Sequence, residues 1–147
     1  PKNIHLVIVG SGPLENEIEK ISNNHSNIDF LGYLPKSKVI PLIRGSFALL
    51  QPSFAEGIST TLLEAMACKI PIIASNLGGN KELIIDNENG YLVNPNDIDK
   101  INKKIIDLSE NKILVTNFGN KSFELIKNFE WKNIGEKYLK LYESLLI

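Results

Sequence analysis

Two glutamates seven residues apart, Glu56 and Glu64, carry most of the chemistry that this 147-residue chain can offer. They lie in Gln51-Pro-Ser-Phe-Ala-Glu-Gly-Ile-Ser-Thr-Thr-Leu-Leu-Glu-Ala-Met-Ala-Cys68, between the apolar runs Ser46–Leu50 and Ile70–Ala74. Gly57 comes just before a predicted helix, and Ser59 or Thr60 suits its N-cap. Several backbone N–H groups then point forward without an intrahelical acceptor. Such an end draws anions, because the free amides and the helix dipole act together. Glu64 follows on the stripe of Thr60, about 6 Å further along the axis at ~1.5 Å per residue. An anion at the tip with an acceptor one turn on suits a nucleotide, with diphosphate at the amides and the ribose diol at Glu64.

Each acid also has an ordinary reading. Leu62, Leu63, Ala65, Met66 and Ala67 make the helix apolar nearly all round, which predicts that it is buried. A buried carboxylate needs donors, from the protein or from a ligand, and the residues leave both sources open. Glu56 reads either as a loop carboxylate or as a functional acid. Its place beside Gly57 and the helix tip favours function.

The elements around the two acids read as alternating strands and helices. Ile4–Val9 is a β-branched run fit for a strand buried on both faces, and Gly10-Ser-Gly-Pro13 turns it into a helix with Pro13 at the first helical position. Ile28–Gly32 is a second strand, and Lys36–Arg44 has helical spacing that Pro41 must kink or shorten. Phe47–Leu50, Ile70–Ser75 and Tyr91–Val93 are further strands, with a brief helix at Lys81–Ile85. Asp97 is a fair N-cap for a helix bearing Ile98, Ile101, Ile105 and Leu108. Two more helices cover Lys112–Phe129, with Gly119 as a weak point, and Trp131–Leu145. Continuous apolar strands between helices predict an α/β fold, a Rossmann-like three-layer parallel sheet with helices on both faces. Ligands in such sheets sit beyond the carboxyl ends of the strands, and Gly10, Tyr33, Glu56 and Gly78-Gly79 all follow strand ends.

Composition excludes several classes. Sixteen lysines and arginines against 17 aspartates and glutamates give a net charge of −1, with no electrostatic footprint for nucleic acid. No stretch approaches ~18 consecutive apolar residues, so no membrane span is expected. The single cysteine, Cys68, reads as a small core residue, and no Cys/His spacing suggests a metal site. A cytoplasmic setting fits. The chain opens at Pro1, which reads as a fragment of something longer.

Pro52-Ser-x-x-Glu-Gly, Leu63-Glu-Ala-Met-Ala, Pro71-Ile-Ile-Ala-Ser75 and Gly78-Gly79-x-x-Glu82 follow one another in order. Together with the two acids, this string resembles the nucleotide-sugar half of the retaining glycosyltransferases of family 4, which have the GT-B fold. The resemblance implies a single donor-binding domain over residues 1–147, the C-terminal half of a GT-B protein. On that reading the first strand region and the N-terminal acceptor domain are missing. It implies transfer of a sugar from a nucleotide-diphosphate sugar to a carbohydrate or lipid-linked acceptor such as a polysaccharide or glycolipid. No cofactor and no metal are implied, and the parent protein would be cytoplasmic, with peripheral association at the inner face of a membrane as a further expectation. By the same resemblance Glu56 is the catalytic-site acid at the donor sugar hydroxyls, and Glu64 takes the ribose hydroxyls. Gly57, Ile58, Ser59, Thr60 and Thr61 line the diphosphate, and Tyr33 and Leu34 lie at the base. Lys69 stands where the family favours Gly, so a left-handed residue at that helix end would cost ~1 kcal/mol. The family's Arg and Lys for the diphosphate precede Ile4 and fall outside the chain, so the isolated fragment is expected to bind nucleotide weakly and not to turn over.

Three rival readings have their own requirements. A nucleotide-sugar epimerase of the same architecture wants a His near the base, and neither His5 nor His25 is well placed. A degenerate scaffold domain would not need Glu56, Gly57 and Glu64 intact. A dinucleotide-binding oxidoreductase would need the third fingerprint glycine, where Glu15 stands.

Overall fold

The computed structural model describes residues 4–146, which group into two compact units divided between Gly45 and Ser46. The first unit alternates β1 (Leu6–Ile8), α1 (Glu15–Asn23), β2 (Ile28–Phe30) and α2 (Lys36–Gly45). β1 and β2 are parallel, with Leu6 opposite Ile28 and Ile8 opposite Phe30, and α1 is the crossover that parallel neighbours require. The helix starts two residues later than expected. Pro13 and Leu14 form a turn, in which the Glu15 N–H donates to Gly12 O at 3.1 Å and Ile18 N–H to Leu14 O at 3.0 Å. β1 is not buried on both faces either, since Leu6 is 38% and Val7 41% exposed. α2 runs through Pro41 for its full ten residues; the missing N–H removes one rung of the ladder while the others hold.

The second unit contains β3 (Leu49–Gln51), α3 (Thr60–Ala67), β4 (Ile72–Ser75), α4 (Asn80–Leu83), β5 (Gly90–Val93), α5 (Ile98–Glu110), α6 (Lys112–Ile126), a 3-10 turn (Lys127–Phe129) and α7 (Trp131–Leu145). Its sheet has the order β3-β4-β5, all parallel, with Leu50 opposite Ile73 and Ile73 opposite Tyr91. β4 is central and wholly buried, as its unbroken run of apolar residues dictates. The α/β class with parallel strands and flanking helices is the expected one, and the strands pair into one sheet in each unit.

Side chains from both strands and helices close the core of this unit. Ile73, Tyr91 and Val93 pack with Ile101, Leu108 and Phe118, and Leu50, Ile105 and Leu114 flank them. The starts of α5 and α6 are fixed by side-chain caps. Asp97 Oδ1 accepts from Lys100 N–H at 3.0 Å and Asn111 Oδ1 from Leu114 N–H at 2.9 Å, each satisfying one orphan amide.

α3 ends as the resemblance implies. Lys69 has φ 60°; Ile70 N–H donates to Ala65 O at 2.9 Å and Lys69 N–H to Met66 O at 3.1 Å. These are the two bonds of a Schellman end, built here on a lysine instead of a glycine. Gly119, expected to weaken α6, has a different role. The helix is continuous there, and a Cβ on Gly119 would lie 2.1 Å from Lys69 O. Glycine lets α6 pass directly against the end of α3.

Candidate functional site

β3 ends at Gln51, and residues 52–59 lead into α3. The chain crosses from strand to helix within this loop, so Glu56 and Gly57 lie at the carboxyl end of a parallel sheet, where α/β proteins keep their ligands. A network of side-chain hydrogen bonds shapes the loop. Gln51 Nε2 donates to Glu56 Oε1 at 2.7 Å and to Ser59 Oγ at 3.0 Å, and Ser53 Oγ reaches Glu56 Oε1 at 3.4 Å.

The predicted cap is corrected by this network. Ser59 occupies the N-cap position of α3 with extended backbone (φ −75°, ψ 119°), yet its side chain caps no amide. Its hydroxyl is buried and engaged with the Gln51 amide, donating to Oε1 at 3.2 Å. Thr60 is the first helical residue and does not cap the helix either. The first intrahelical bond runs from Leu63 N–H to Ser59 O at 3.2 Å. The amides of Thr60, Thr61 and Leu62 therefore lack intrahelical acceptors. Gly57, Ile58 and Thr60 are exposed at this tip, and Thr61 is half-buried. The capacity for an anion survives without the cap, because it rests on the amides and the dipole.

Glu64 departs from its expectation as well. The helix is not buried all round: Leu62, Ala65 and Met66 are fully buried, whereas Ala67 is exposed and Glu64 half-buried. The apolar face meets β4 and α6, and the opposite face stays accessible. A carboxylate in that position does not carry the cost of full burial.

Gly78 and Gly79, read in the sequence as following a strand end and as part of the family string, support the Glu56 loop from behind. Gly79 N–H donates to Glu56 O at 3.3 Å. A Cβ on Gly78, which has φ +56°, would lie 2.0 Å from Glu56 O, and one on Gly79 2.5 Å from Gly57 O. Only two residues without side chains allow this backbone-to-backbone approach. Asn80, fully buried, fastens the turn to the end of β4 through Nδ2, which donates to Ser75 O at 3.1 Å and Ser75 Oγ at 3.0 Å. A run of Gly-Gly-Asn after a buried strand was the available signal, but the partner backbone lies more than 20 residues upstream and cannot be read from it.

The other predicted residues belong to the first unit. Tyr33, 76% exposed, and Leu34, half-buried, follow β2. The Gly10–Gly12 loop lines a hollow of about 310 Å³ with Ile8, Ile18 and Phe30. His5 precedes β1 and lies 2.7 Å from Asp29 Oδ2, and His25 Nδ1 is 2.9 Å from Ile21 O. Among the described residues no group of His, Cys, Asp or Glu could hold a metal, and no helix is long and apolar enough to cross a membrane.

Comparison with known proteins bears on this geometry. An uncharacterized glycosyltransferase of Methanocaldococcus jannaschii is 34% identical over 145 residues, covering 97% of this chain and 41% of that protein. The poly(ribitol-phosphate) alpha-N-acetylglucosaminyltransferase of Staphylococcus aureus is 30% identical over 142 residues, covering 93% of this chain and 28% of that protein. The chain thus spans well under half the length of these relatives. The solved structure of S. aureus TarM in complex with fondaparinux, alpha-GlcNAc-glycerol and UDP superposes with a TM-score of 0.84 at 28% identity, over 96% of this chain and 29% of that one. The family described as "Glycosyl transferases group 1" matches residues 1–125, a span that includes both glutamates, the uncapped tip of α3 and the Gly78-Gly79 turn. By that match, and with the fold of its GT-B relatives, the chain belongs to the group 1 glycosyl transferases.

Proposed function

We propose that the chain is the donor-binding half of a retaining, family-4-type glycosyltransferase, moving a hexose from a nucleotide-diphosphate sugar to a carbohydrate or lipid-linked acceptor. The observation that carries this reading is the arrangement at the start of α3. The Glu56–Gly57 loop is held against an exposed, uncapped helix tip, with Glu64 one turn further along the same helix. The amides at 60–62 and the helix dipole stabilise the diphosphate, where negative charge grows as the glycosidic bond breaks. Ile58, Ser59 and the neighbouring Gly57 backbone border that position. Glu64 accepts from the ribose hydroxyls, and Glu56 accepts from hydroxyls of the donor sugar. Two solved relatives support a nucleotide donor: TarM was crystallised with UDP, and the pneumococcal transferase GtfA, 27% identical to this chain, with UDP and GlcNAc. The chain matches 28% and 41% of the length of the two relatives named above, which accords with an acceptor-binding half outside it. Alone it binds nucleotide and does not transfer sugar.

Calorimetric titration with UDP, GDP and ADP tests this. The chain should bind at least one of them, and Glu64→Ala should weaken that binding by about tenfold or more, since a hydrogen bond to a charged group contributes ~1.5–3 kcal/mol. Absence of binding to all three nucleotides refutes the reading in favour of a scaffold.

A further inference from the structure

Gln51 is the last residue of β3, and its backbone is fixed in the ladder opposite Ala74. From there its amide spans the loop to both Glu56 and Ser59. The orientation of that amide follows from chemistry. Whichever atom lies 2.7 Å from Glu56 Oε1 must donate, because two acceptors at that distance would repel. The NH2 group therefore faces the carboxylate, and the Ser59 hydroxyl lies against both ends of the amide, 3.0 Å from Nε2 and 3.2 Å from Oε1. Ser53 Oγ, at 3.4 Å, adds a longer contact to the same carboxylate oxygen. Both contacts fall on Oε1, and among the described residues Glu56 Oε2 has no hydrogen-bond partner.

A glutamate on a loop has three side-chain torsions, and ordering them on ligand binding opposes affinity. Here one oxygen is held by an amide that is itself anchored to a strand and to the first turn of α3. We infer that Gln51 is a positioning residue for recognition of the donor sugar: it immobilises Glu56 Oε1 and leaves Oε2 aimed to accept a sugar hydroxyl. This rests on the proposed role of Glu56 at the donor sugar. It adds that the sugar increment of binding, as distinct from the nucleotide increment, depends on a primary amide at position 51.

The test compares two affinities in the same 147-residue chain. UDP with UDP-N-acetylglucosamine, GDP with GDP-mannose, and ADP with ADP-glucose are titrated into the wild type, and the pair that binds is carried forward. Gln51→Met keeps the length of the side chain and removes both amide groups. It should raise the Kd for the nucleotide sugar about tenfold while the Kd for the free nucleotide stays within about twofold. Glu56→Gln should split the two affinities in the same sense, and Glu64→Ala should weaken both together. If Gln51→Met does not fold, Gln51→Asn decides by the same criterion, since its amide is one methylene too short to reach Glu56. A Gln51 variant that weakens both ligands equally, or neither, while Glu56→Gln splits them, overturns this inference alone. If Glu56→Gln produces no split, the role of Glu56 falls with it, and if the wild type binds none of the six ligands, so does the proposed function.

Discussion

Tyr91 lies in the core of the second unit with its ring edge-to-face against Phe118, centroids 5.3 Å apart, and Lys104 Nζ 4.0 Å from its own centroid. Burial first, then the carboxylates of Asp107 and Asp86, push its phenol above the ordinary value of 10.0. The cause is the cost of placing phenolate charge in a poorly solvated site beside like charge. A folded value above the unfolded one means that the unfolded chain releases its proton first. The stability contributed by the neutral phenol is therefore complete below about pH 10 and lost as pH rises through the folded value. Urea unfolding followed by circular dichroism should show wild type and Tyr91→Phe with parallel stability between pH 7 and 9. Above pH 10 the wild type should fall more steeply, and equal slopes there would refute the burial argument. Single residues show where sequence reading reaches and where it stops. The left-handed Lys69 was legible through the resemblance, because it stands where the family favours glycine at the helix end. The hydroxyl of Ser59 was not. Its choice between a backbone amide and Gln51 depends on where a strand eight residues earlier delivers its side chain.

Elements meet where backbones come closest, and Gly119 marks such a place. α6 crosses the end of α3 with Gly119 against Lys69 O, so a methyl group added there would sit 2.1 Å from that oxygen. Neither side can yield easily. The carbonyl belongs to the Schellman end of α3, and α6 is held on the same buried side by Phe118 in the core and by Ser122 Oγ, which donates to Asn89 O at 3.1 Å. Gly119→Ala should destabilise the chain by about 2–3 kcal/mol, as overpacking does, despite the better helix propensity of alanine. Chemical denaturation measures this, and a stabilised variant would show that α6 can slide. The same physics explains which elements were readable. The strands and the Asp97 cap of α5 depend on residues adjacent in sequence, and the structure places them close to expectation. The support of Glu56 by Gly78-Gly79 and the packing of α6 on Lys69 are long-range, and a glycine in a sequence does not say which backbone it admits.

Across the molecule, burial is distributed unevenly between the two units. Every residue of β4 is buried, and the second unit also buries Leu62, Met66, Leu83 and Leu108 almost completely. In the first unit no residue of β1, α1 or β2 is fully buried, and Ile43 of α2 is the one buried side chain among its described residues. Backbone hydrogen bonds resist opening in proportion to the apolar surface that opening exposes, so local stability follows burial. The Glu56 loop benefits from this asymmetry, since Gln51 pairs with β4 and the Gly78-Gly79 turn is fastened to Ser75 at its end. The Glu56 loop is thus braced against the most deeply buried strand of the chain. Native-state hydrogen exchange should find the amides of β4 opening only with global unfolding. Those of β1 and β2 should open at least about 2 kcal/mol more readily, given the apolar surface that β4 buries and they do not. Equal protection in the two ladders would mean that β1 and β2 derive stability from something other than the burial seen here.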